Sequence, residues 1–87
     1  MVKAMLELGE PIEMIGHFSG GAVTPCRFRW KGRVYRIARV SSSWESRRGG
    51  IMNYHFVVRT SAGDVYEVSF NTHTLGWTVD CVYSPGA

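Results

Sequence analysis

The sequence predicts an all-β domain: a small antiparallel, partly open barrel or roll of about six strands, similar in architecture to SH3-like barrels, with a two-layer sandwich as the alternative closure. Three observations lead there. The large residues come in short runs rich in Val, Ile, Tyr, Phe and Trp, the composition of strands. Gly, Ser, Asn and Asp punctuate those runs. Within each run the bulky side chains alternate with polar ones, the period of a strand with one buried face.

Residues 1–10 are the exception. In VKAMLELGEP, Val2, Met5 and Leu6 have helical spacing and Gly9 with Pro11 would stop a helix, so an N-terminal tail or a docked helical turn is expected. Strands follow near 12–18, 24–30, 33–40, 53–60, 65–71 and 77–83, which makes 11–84 one β domain and 85–87 a C-terminal tail. Gly20-Gly21 lacks the Lys-Ser/Thr and following helix of a phosphate-binding loop and reads as a connection between strands.

Turn chemistry sets two registers. Lys31-Gly32 is a two-residue loop with Gly where a positive φ is needed. It pairs Trp30 with Arg33, Phe28 with Tyr35 and Cys26 with Ile37 on one face, and Arg29 with Val34 and Arg27 with Arg36 on the other. The loop Ser61-Ala62-Gly63, a bulged turn, pairs Val58 with Tyr66, Phe56 with Val68 and Tyr54 with Phe70. In the last strand Trp77, Val79, Cys81 and Tyr83 alternate inward, and Thr78, Asp80 and Val82 outward. A flat sheet would leave this aromatic face in water, so the sheet must roll up.

At 87 residues there is room for one core, and 45% hydrophobic content supports folding without a metal. The formal charge of +3 favours anionic partners. No apolar run spans a bilayer and no signal peptide is evident, so no membrane partner and a cytoplasmic location are expected. Cys26 and Cys81 are expected to be two buried free thiols.

Candidate site residues fall in two places. Arg27 opposite Arg36, with Arg29 beside them, is a like-charge arrangement that a bound phosphate would neutralise; Glu13, Glu67 or plain solvation would serve as well. The segment 41–50, SSSWESRRGG, reads as a long loop in which Trp44 is either a stacking platform or a plug for one barrel end. Arg47 and Arg48 beside it would form a cationic track for phosphates. His55 is placed on an outer face opposite Ser69, while His17 and His73 lie in or near loops. No histidine pair has ligand spacing within one element, so no metal and no cofactor are expected. Asp64 and Asp80 read as isolated and no Ser sits in a Gly-flanked elbow, so no catalytic residues are assigned.

Pro25, Phe28, Trp30, Gly32, Arg33, Tyr35 and Ile37, then Trp44, then Gly63, Tyr66, Glu67 and Val68, and last Gly76 and Trp77 resemble a family of small bacterial proteins of unknown function. Its pattern is Pro-x-x-Phe-x-Trp-x-Gly-Arg-x-Tyr-x-Val, then a lone Trp, then Gly-x-x-Tyr-Glu-Leu and a late Gly-Trp. Some members are encoded near error-prone DNA polymerases, so the resemblance implies a DNA-repair context. It supplies no catalytic residues. The expected function is therefore a non-catalytic nucleic-acid-binding accessory module, for single-stranded or duplex nucleic acid, using Arg27, Arg29, Arg36, Trp44, Arg47 and Arg48. The alternative is a protein-interaction or self-association module working through an edge strand.

Overall fold

Three two-residue turns, Gly20-Gly21, Lys31-Gly32 and Gly49-Gly50, have positive φ at both central residues, the backbone that matches the twist of the strands they join. They organise a computed structural model that describes residues 4–84. Its elements are β1 (Ala4–Ser19), β2 (Ala22–Trp30), β3 (Arg33–Arg48), β4 (Ile51–Thr60), β5 (Val65–Asn71) and β6 (Trp77–Ser84). All six are antiparallel and close in chain order, with β6 returning to β1. The all-β expectation and the strand number hold. Among the described residues no helix is long and apolar enough to cross a membrane.

Both predicted registers are found next to their turns, but the expected pair of Cys26 with Ile37 is not: the β2–β3 ladder ends at Arg27–Arg36, and Ile37 faces Thr60. Trp30 faces Arg33, Phe28 faces Tyr35 and Arg27 faces Arg36; Val58 faces Tyr66, Phe56 faces Val68 and Tyr54 faces Phe70. The second hairpin turns through a Thr60 N–H bond to Asp64 O and a Gly63 N–H bond to Thr60 O, with Gly63 at φ 98°.

Several expectations are corrected. The first concerns 1–10: Ala4–Glu10 is the first half of β1, and Met5, Leu6 and Glu7 face Tyr83, Val82 and Cys81. Ladder hydrogen bonds to β6 outweigh the weak helical spacing, since a two-turn helix has little stability of its own. Residues 85–87 lie outside the described residues. The second concerns 41–50, which continues β3 to Arg48; its Gly49-Gly50 turn leads into β4, and Arg48 faces Ile51.

The third concerns Cys26, which is exposed. Arg27 pairs with Ile15 and Pro25 with Gly16, so Cys26 is the extra residue of a β-bulge and Pro25 takes the inward position. A bulge at Asp80 has the same effect in β6, because Val68 pairs with Val79 but Glu67 pairs with Cys81. Val82 packs against the core, and Cys81 and Tyr83 bond instead to Glu67. Cys81 is nonetheless buried, and both thiols are free, as expected.

The core is layered. Val58, Val68 and Val79 have no exposed surface and form its middle, each contributing about 1.5–3 kcal/mol by burial. At one end Phe28 stacks on Tyr35 at 4.9 Å and meets Tyr66 edge-on at 5.5 Å. Burial there, with Tyr35 alongside, pushes the Tyr66 hydroxyl up to about 12. Trp30 joins this group and donates its Nε1–H to Glu10 Oε1 at 2.8 Å. At the other end Trp77 packs on Phe56 and Phe70.

Replacing Leu6 and Glu7 together by Pro removes a ladder bond from the β1–β6 seam, because one of any two successive residues donates to the partner strand, without losing much buried surface. It should cost roughly 2 kcal/mol or more in urea denaturation; a change within error would mean that this segment is a dispensable tail.

Candidate functional site

Closing the ring divides its charge. Nine of the ten Lys and Arg residues lie on β2, β3 and β4 or in the β2–β3 turn, whereas five of the seven Asp and Glu residues lie on β1, β5 and β6. These are contiguous halves of the ring, so one side is basic and the other acidic.

On the basic side Arg27 and Arg36 are cross-strand partners and both are exposed. Arg39 and Arg59 form a second such pair where β3 bends from β2 toward β4. Among the described residues the one ion pair is Arg29 with Glu13, where Arg29 Nε–H also donates to Glu13 Oε1 at 2.8 Å. Both side chains are well exposed, so this pair adds little stability, but it does leave Arg29 already partnered. A shallow depression of about 290 Å³ lies between Arg27 and Arg29, lined also by Ile15 and Val34. Those two apolar side chains are 55% and 65% exposed, which places apolar surface directly beside the guanidinium groups.

Trp44, Arg47 and Arg48 do not join this group. They sit on the half of β3 that pairs with β4 alone. Twelve residues separate Arg36 from Arg48, about 40 Å of extended strand. Trp44 is no plug: it is 42% exposed and stacks on its cross-strand partner His55 at 5.2 Å with the rings nearly parallel. Arg47 and Arg48 face Met52 and Ile51 at the hairpin tip.

The β2–β3 seam extends over four pairs, from Arg27–Arg36 to Trp30–Arg33. Beyond it the start of β2 and the end of β3 diverge, leaving an open groove of about 510 Å³ floored by Tyr54 and Phe56 and flanked by Val23 and Trp44. The ring is thus closed, yet split at one end.

A second constellation went unread in the sequence. His55 on β4, Glu67 on β5 and Asp80 on β6 lie on adjacent strands, and one ligand-type atom from each lies within 4.8 Å of the others. Asp80 was expected to be isolated; the bulge that displaces it from the ladder brings it beside Glu67 and His55. Ser46 Oγ lies 2.7 Å from His55 Nε2, Ser69 Oγ–H donates to Asp80 Oδ1 at 3.2 Å, and Tyr83 O–H donates to Glu67 Oε1 at 3.1 Å. His55 Nδ1 and Asp80 Oδ2 are buried without a hydrogen-bond partner. Burial raises the Asp80 carboxyl above its usual range, Ser69 opposes the shift, Glu67 adds to it and His55 opposes it. Burial also raises the Cys81 thiol, while the bond with Cys81 and then burial raise the Tyr83 hydroxyl. The cluster is therefore a half-buried set of acids with two donor atoms to spare. The legible signal was the pairing of His55 with Ser69; the bulge that supplies Asp80 has no mark in the sequence.

The chain belongs to the family described as domain of unknown function DUF6504, whose model matches residues 6–80. No curated protein and no solved structure matches it significantly.

Asp80→Asn tests the electrostatics of the cluster. A carboxyl whose pKa is raised on folding loses stabilisation as pH climbs from its unfolded value through the folded one. The variant should therefore exceed the parent in stability at pH 7, and the gain should shrink toward pH 3.5. Denaturation curves at the two pH values check this; a variant less stable at pH 7 contradicts it.

Proposed function

We propose that this domain is a non-catalytic nucleic-acid-binding module of the cytoplasm, whose basic half-barrel holds phosphates with little sequence preference. The observation that carries this reading is the segregation of charge around the ring, with the Arg27–Arg36 and Arg39–Arg59 pairs set on one side. Like charges directly opposite one another destabilise a sheet by some tenths of a kcal/mol, and a phosphate between them reverses the sign. Guanidinium groups suit this role because each presents a planar fork of donors to an oxyanion.

The exposed Ile15 and Val34 beside Arg27 and Arg29 add an apolar surface against which a sugar or base would rest. Trp44, already ordered by its stack on His55, offers its other face to a base, and Arg47 and Arg48 extend the positive potential along the hairpin. The resemblance to bacterial proteins encoded beside error-prone polymerases points the same way.

The diverging ends of β2 and β3 favour a second reading, in which an extended segment of a protein partner or a second copy adds a strand at the split seam. Salt separates the two readings. Each phosphate neutralised on duplex DNA steepens the dependence of log K on log salt by about 0.9, and strand addition responds weakly.

The test is a titration of fluorescent single-stranded and duplex oligonucleotides over 50–200 mM salt, a range of about fourfold chosen for its leverage on the slope. Replacing Arg27 and Arg36 by Ala should weaken binding to any sequence and reduce the salt slope by about 2. The melting temperature should stay level or rise. Parent-like binding by this double variant, or binding insensitive to salt, would sink the proposal.

A further inference from the structure

We infer that His55, Glu67 and Asp80 form a binding site for a divalent transition-metal ion of the zinc type, where the basic and acidic halves of the ring meet at β4 and β5. The site does not rest on the nucleic-acid reading: its ligands are on β4, β5 and β6 and include none of the arginines, and Trp44, stacked on His55, is the residue the two share.

Each of the three side chains is held at one atom and free at another. His55 directs Nε2 to Ser46 Oγ. With Nε2 as the protonated nitrogen donating to that hydroxyl, the lone pair is left on Nδ1, which is buried and unpartnered. Asp80 accepts from Ser69 through Oδ1 and leaves Oδ2 buried and unpartnered. Glu67 accepts from Tyr83 and Cys81 through Oε1, with Oε2 engaged by no hydrogen bond among the described residues. This is the arrangement that outer partners give to metal ligands, fixing the tautomer and aiming the lone pairs. The Trp44 ring lies flat on the imidazole and holds its plane.

Burying polar atoms without partners is costly, and a divalent cation serves an imidazole lone pair and two carboxylates together. Two carboxylates and a neutral imidazole balance a 2+ charge. The spread of up to 4.8 Å between ligand atoms exceeds the about 3.3 Å of tetrahedral zinc at bond lengths near 2.0–2.1 Å, so binding draws the three strands' side chains together. Three protein ligands leave a fourth position for water. The imidazole favours zinc over magnesium, which takes an all-oxygen shell.

The experiment uses the whole chain, free of any histidine tag, titrated calorimetrically with zinc chloride and, in parallel, magnesium chloride. One zinc ion should bind per chain and raise the melting temperature in a concentration-dependent way, with magnesium ineffective. Asp80→Asn and Glu67→Gln, nearly isosteric, should each weaken zinc binding at least about tenfold. Asp80→Asn separates loss of the site from loss of the fold, because it should melt higher than the parent in chelator yet gain less from zinc. Zinc binding unchanged in both variants would place the ion elsewhere on the chain and overturn the site. Absence of stoichiometric binding to the parent would overturn it as well.

Discussion

Six short strands bury an aromatic face only by closing on themselves, and closure here depends on two strands that each serve two neighbours. β1 pairs with β6 through its first half and with β2 through its second; β3 pairs with β2 and then with β4. β3 changes partner at an irregularity in its ladder, between Ile37 and Arg39, and β1 passes from β6 to β2 between Ile12 and Glu13, with an irregularity on either side, at Glu7–Glu10 and at Ile15–Gly16. Bulges bend a strand and sharpen its twist at the cost of local pairing. Without those bends Phe28 and Val79 could not share one interior with Val58 and Val68.

The same bends govern the surface. β3 contributes Arg36 to one pair of arginines and Arg39 to the next, so its turn around the barrel carries positive charge from the outside of β2 to the outside of β4. The acids gather on the remaining strands, where they satisfy specific partners: Glu10 holds the Trp30 indole, Glu13 holds Arg29, and Glu67 receives Tyr83 and Cys81. Positive charge left over in this way is available to an outside partner, and its range is set by the roughly 8–10 Å screening length at ordinary salt.

The bulge at Asp80 shows how one extra residue changes the chemistry of a face. It lets Val82 enter the core while turning Cys81 and Tyr83 to Glu67, and it sets a carboxylate beside a histidine two strands away. Bulges next to unsatisfied polar groups recur where a protein trades stability for a site. Burial in that position raises the Asp80 carboxyl above its usual range.

Alternation and turn residues are local properties, and they were enough for the all-β class, the strand count, both hairpin registers and the outward placement of Arg27, Arg29 and Arg36. A strand's side-chain period is fixed by its own backbone, and a two-residue turn fixes the pairing on either side of it. Gly49-Gly50 carried the same turn signal, from which the long β3–β4 hairpin was legible in place of a loop. The pairing of Ala4–Glu10 with β6 was not, because those partners lie some seventy residues apart along the chain. Nor were the outward turn of Cys26 and the meeting of His55, Glu67 and Asp80, which depend on bulges. A bulge is decided by how two strands must curve to close a ring, a demand of the whole barrel that no single segment records.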